Sequence, residues 1–149
     1  MNIVDKLLTN DKLTEKPTME VEIKRFSKAL GEPCLFKIQA VETKKLREIS
    51  ELNTKTEYVS TKDKNGRVVK EKKETTDRYK TIIDTIVESV VDPDFRDSRL
   101  REKYKTQDPA EIVEKMLLVG EIELLNNKIN EINELNNDTQ TEVDEEIKN

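Results

Sequence analysis

A chain of 149 residues with no histidine and one cysteine has few ways to move a proton or hold a metal ion. Without histidine the commonest general base is missing, and so are the Ser-His and Cys-His nucleophile systems and most zinc sites. Cys34 can neither close a disulfide within the chain nor build a thiolate cluster. It precedes an apolar run and reads as a small buried or half-buried hydrophobe in a reducing compartment. Three glycines do not make a phosphate-cradling loop. The carboxylates Asp92, Asp94 and Asp97 are close together, but the pattern lacks the turn glycine and the terminal bidentate glutamate of a calcium loop. Helix capping accounts for them better. The residue types therefore point to binding, with no catalytic residue, no cofactor and no metal expected.

Binding needs surfaces, and composition says how they are made. Hydrophobic residues are 34% of the chain and charged residues 40%, so the core is thin and part of the chain lies outside it. No apolar run is long enough for a membrane span, and the N-terminus lacks a secretory signal pattern. A membrane is not expected as a partner. Residues 1–120 carry 25 basic and 23 acidic side chains, and residues 121–149 carry 2 and 9, which gives the net charge of −5. Residues 136–149 hold only Val143 and Ile147 as apolar residues and read as an acidic disordered tail.

Ile3, Val4, Leu7 and Leu8 form one stripe, enough for a two-turn helix, followed by a polar linker to Thr18. Residues 19–25 alternate, with Met19, Val21 and Ile23 on one face, and predict a half-buried strand. Residues 34–40 predict a second, with Phe36 and Ile38 inward. Gly31 and Pro33 between them suggest a loop, hence an antiparallel hairpin. Thr43 is a candidate N-cap for a helix to residue 53 burying Leu46, Ile49 and Leu52. Asn65-Gly66 predicts a two-residue turn pairing Lys64 with Arg67 and Lys62 with Val69. Its flanks offer no core face, so residues 57–73 are expected to protrude as a Lys-rich arm.

Tyr79, Ile82, Ile83, Ile86, Val87, Val90 and Val91 predict a central helix over 77–91, ended by Asp92-Pro93. A short charged helix is expected over residues 98–105. Asp108-Pro109-Ala110-Glu111 is a helix start with cap, first-turn proline and capping glutamate. Helix is expected over 109–135, interrupted near Gly120. Ile122, Leu125, Ile129 and Ile132, spaced 3, 4 and 3, make a two-heptad seam too short to stand alone. The fold class is thus α+β, mostly helical: one domain over 1–135 with a small antiparallel sheet packed on helices. The seam can complete the core or meet a partner. The reading adopted for the partner contact is Leu117, Leu118, Ile122, Leu125, Ile129 and Ile132. The basic arm has no interleaved aromatics for base stacking, so nucleic acid is not expected as a partner.

The order of segments resembles the tail assembly chaperones of contractile-tail phages and phage-like elements of Gram-positive hosts. The segments that carry it are DKLL, VEIKRFSKALGEP, FKIQAV, DPDFRDSRLREKY and DPAEIVEKMLLVGEIELLNNKI. In the last of these Val119 stands where the family pattern has proline. The resemblance spans residues 1–135, with 62–73 as a variable region. It implies a non-catalytic protein of the bacterial host cytoplasm. Such a protein coats the tape measure protein until the tail tube polymerises and is absent from the finished tail. The tail tube protein and a second copy of the chain are further candidate partners. Two alternatives are a structural subunit of a phage tail or tailocin particle, and a nucleic-acid-binding phage regulator.

Overall fold

The computed structural model describes residues 2–134, so the acidic segment 136–149 lies outside the described residues. The chain forms an α+β domain around a three-stranded antiparallel sheet, β1 (Thr18–Glu22), β2 (Leu35–Gln39) and β5 (Val90–Asp92), in the order β1-β2-β5. Val21 stands opposite Phe36 and Met19 opposite Ile38, which puts the predicted apolar faces on one side. Ile38 also pairs with Val90. Helices α3 (Thr43–Leu52), α4 (Arg78–Ser89), α5 (Ser98–Tyr104), α6 (Pro109–Met116) and α7 (Val119–Ile132) supply the remaining structure around the sheet. The helix α4 is central, since it packs against α3, α6, α7 and β5. Its Ile83 and Ile86 are fully buried, with Ile112 and Val113 of α6 and Leu125 and Ile129 of α7. Phe95 plugs the core and meets Phe36 edge-on at 6.3 Å between ring centroids.

Several expectations need correction. The segment between the first two strands is a helix, α2 (Lys24–Leu30), closed by Gly31 with φ +73° in the left-handed region. The strand before it accordingly stops at Glu22, and Ile23 caps the helix instead of extending the strand. The central helix stops at Ser89, whose buried hydroxyl donates to the Gln39 carbonyl at 2.7 Å. Val90–Asp92 then joins the sheet as a third strand. Two consecutive valines fit either period, and the open edge of β2 decides between them. Thr43 is the first residue of α3, with Glu42 at the cap, and Leu52 is exposed although Ile49 is buried. The last helical stretch breaks at Leu117-Leu118, and Gly120 lies inside the first turn of α7.

The basic arm protrudes as expected but is longer and pairs one register away. The strands β3 (Thr54–Lys62) and β4 (Val68–Thr76) form a separate two-stranded ribbon with Lys62 opposite Val68. Asp63 N–H donates to the Arg67 carbonyl at 2.9 Å, leaving three residues at the tip. Only Gly66 there has positive φ, +79°. A three-residue tip needs one left-handed position, whereas the two-residue turn needs two, so Asn65 is relieved of an unfavourable conformation. The Asp63 carboxylate fixes the tip by accepting from the Asn65 and Arg67 N–H groups, each at 2.9 Å.

Candidate partner-binding surfaces

The elbow between α6 and α7 is held by a residue far away in sequence. Arg25 of α2 donates from Nε and Nη2 to the two carboxylate oxygens of Glu121, at 3.0 and 2.8 Å. Its Nη2 also donates to the Met116 carbonyl at 2.9 Å, at the last residue of α6. One guanidinium thus ties a helix C-terminus to the first turn of the next, and its central carbon, Cζ, lies over the Phe26 ring 4.6 Å from the centroid. Glu121 in turn accepts from the Leu118 N–H at 2.8 Å, satisfying one of the unpaired donors at the start of α7. The hydrogen bonds from Arg25 hold the Glu121 carboxyl below its usual range and raise the guanidinium.

This clamp was not legible in the sequence, where Arg25 ended a strand and Glu121 was one acid among many. The available signal was Gly31, which also marks a helix C-terminus when an amphipathic stretch precedes it.

The clamp presents an apolar elbow. Leu118 is 59% exposed, and Val119 and Leu124 beside it are also open to solvent. Of the six residues read as a partner contact, the structure brings Leu117, Ile122, Leu125 and Ile129 into the core and packs Ile132 partly against it. The seam closes on its own domain because the thin sheet and α4 leave one helix-wide face to cover. Leu118 alone of the six points freely outward.

A second apolar surface lies at the N-terminus. In α1 (Ile3–Thr9) no residue is buried, and Ile3, Val4, Leu7 and Leu8 are all exposed. Asn2 caps it, its side-chain oxygen accepting from the Asp5 N–H at 2.9 Å.

The remaining candidates take structural roles. Asp97 caps α5 by accepting from the Arg99 N–H, and its two oxygens accept from the Arg99 guanidinium at 3.1 and 2.8 Å. Those bonds lower its pKa to about 2. Cys34 is half-buried against the core, and desolvation raises its thiol pKa, which suppresses the reactive thiolate. The Lys-rich ribbon is exposed on both faces.

Comparison with known proteins agrees with this architecture. The chain is 34% identical over 140 residues to the phage-like element PBSX protein XkdN of Bacillus subtilis strain 168, covering 93% of this chain and 88% of that one. It is 36% identical over 137 residues to the protein YqbN of the same strain, covering 91% and 86%. It also matches a crystal structure of a protein YqbN at a TM-score of 0.59 and 30% identity, over 80% of this chain and 86% of that one. The profile described as Phage XkdN-like tail assembly chaperone protein matches residues 4–148. The chain therefore belongs to the XkdN-like family of phage tail assembly chaperones.

Proposed function

We propose that the chain is a non-catalytic chaperone of contractile-tail assembly that binds the tape measure protein in the host cytoplasm and keeps it soluble until the tail tube polymerises. Family membership supports a role in tail assembly, and a binding role suits a chain without histidine. The observation that carries the partner contact is the elbow, where Leu118, Val119 and Leu124 stay exposed on a rigidly clamped turn. Exposed leucine and valine on a fixed helix junction suit the apolar stripe of an amphipathic helix, the usual helix-on-groove mode. The seam first read as the contact contributes its exposed member Leu118, while its buried members hold the elbow in place.

The test is co-expression with the tape measure protein encoded in the same gene cluster. Leu118→Asp with Val119→Asp should leave the circular dichroism spectrum unchanged and abolish soluble co-purification. A folded variant that still co-purifies the tape measure protein puts the contact elsewhere. Mass spectrometry of purified particles should find the chain absent, and its presence would make it a structural subunit.

A further inference from the structure

A two-stranded ribbon is marginal in water by itself, and an open strand edge is a template for another strand. The ribbon of β3 and β4 is of that kind, since every residue beyond Thr54 is exposed. Its register sorts the charges by face. Residues directly opposite each other share a face, and the faces alternate along each strand. One face carries Lys62, Lys70 and Lys72 with Tyr58 and a single acid, Glu74. The other pairs Glu57 with Lys73 and also holds Lys55 and Glu71, so its charges cancel. Lys72 reaches Glu74 at 3.2 Å, which leaves Lys62 and Lys70 without a carboxylate partner among the described residues. The tip decides which backbone groups are open. Asp63 and Arg67 form a bonded pair, and bonded and unbonded pairs alternate along an antiparallel ladder. The N–H and C=O groups of Lys70 and Lys72 therefore point away from β3, along the free edge of β4.

We propose that residues 138–147 of the same chain add to this edge as a third strand, antiparallel to β4. The charges are complementary: residues 54–76 hold seven basic and four acidic side chains, and residues 135–149 hold one and five. The order of the acids fits a strand. In DTQTEVDEEI, four of the five acids alternate onto one face with Gln140, and Thr141, Val143 and Ile147 fall on the other with Glu145. With Glu142 opposite Lys72, Asp144 falls opposite Lys70. Gln140, the uncharged member of the acidic face, then falls opposite Glu74. A slip of two residues either way sets Asp138 or Glu142 against Glu74, and a slip of one turns the acids to the other face. The pairing thus has one favoured register.

The place where the described chain ends supports the same reading. Asn130 and Asn133, in the last turns of α7, share a cleft with Arg78, which follows the end of β4 by two residues. The segment therefore sets out from near the base of the ribbon, and an antiparallel strand runs from base to tip. Glu142 lies eight residues beyond Glu134, a span of up to about 27 Å. Lys72 lies four residues from the end of β4, about 13 Å from the base. About 14 Å remains for the passage from α7 to the ribbon. A short tether also holds the segment near its edge at an effective concentration of about millimolar, which favours it over a second copy. Main-chain bonds supply the affinity of such a strand addition, and the alternating side chains set its register.

Amide exchange followed by NMR on the purified full-length chain tests this. The Lys70 and Lys72 amides make no bond to β3, so their protection reports the third strand. It should fall about tenfold or more in Glu142→Lys with Asp144→Lys. Adding Lys70→Glu and Lys72→Glu to that variant should restore it. The register also places residue 149 near the tip. On a Cys34→Ser background, a spin label at Asn149→Cys should broaden the Asn65 and Gly66 signals of the chain that carries it. Unprotected Lys70 and Lys72 amides in the parent overturn the proposal, as does protection that survives the first pair of substitutions or fails to return with the second. Broadening in an isotope-labelled chain without the spin label, mixed with spin-labelled chains, would put a second copy on the edge and also overturn it.

Discussion

Arg25 and Glu121 show how much a single charged pair can organise when each atom has a geometric task. The pair itself is partly solvated, and exposed ion pairs contribute little. Its value lies in joining three chain segments at one point. The Glu121 carboxyl titrates below its unfolded value, so its contribution is complete above the unfolded pKa of about 4.3 and is lost as pH falls through the lower folded value. The thermal midpoint of Glu121→Gln should therefore lie below the parent's at neutral pH, and the gap should close as the solution is taken toward pH of about 3. A gap that widens on acidification would mean that the carboxylate destabilises the elbow. Ile83 tests the core at the same scale. It is fully buried on the central helix, so Ile83→Asp should cost several kcal/mol, on the order of the whole margin of stability. Calorimetry that finds the midpoint unmoved would take α4 out of the core.

Among the elements, those with strong local chemistry were legible. Asp108 and Pro109 mark the start of α6, and the Asp108 side chain does accept from the Ala110 N–H, at 3.0 Å. Asp77 likewise caps α4. The alternation of Met19 and Val21 against Ile38 and Phe36 marked the sheet and its inner face. What escaped were decisions made by neighbours. The helix α2 fully buries none of its residues and packs Phe26 only partly against the core, so its apolar face is too slight to announce it without the Gly31 signal, and Val90 entered the sheet only because β2 offered an edge. The seam on α7 had the spacing of a partner surface and the fate of a core face, since periodicity shows that a stripe is apolar and not what covers it. Two substitutions follow. Ile129→Ser should cost about 3 kcal/mol and lower the thermal midpoint by several degrees, as for other large-to-small changes in a core. Gly31→Ala should cost about 1 kcal/mol, because its φ of +73° strains any residue with a Cβ while the space around that Cβ is empty. Denaturant melts that match the parent's would refute each estimate.

The molecule as a whole divides into a packed body and two projections, the arm that carries α1 and the ribbon of β3 and β4. Among the described residues the ribbon joins the body at its base, where the Thr54 hydroxyl donates to the Ser50 carbonyl at 2.7 Å and, just outside the two strands, the Asp77 N–H donates to the Asn53 carbonyl at 2.8 Å. Replacing residues 56–74 by a short turn should therefore leave the thermal midpoint of the body within a few degrees of the parent's, and a collapse of the midpoint would show that the ribbon supports the core. Each of its strands has nine residues, a length of about 30 Å. A compact chain of 149 residues has a radius of gyration of about 15 Å, so the ribbon reaches about twice that distance. Such an outrigger enlarges the hydrodynamic radius far more than it adds mass. In a gel-filtration column calibrated with spherical standards, even the monomer will elute early, in the volume of a larger protein. Sedimentation will err the other way, as the added friction slows the particle, so a mass for any assembly of this chain must come from a method blind to shape.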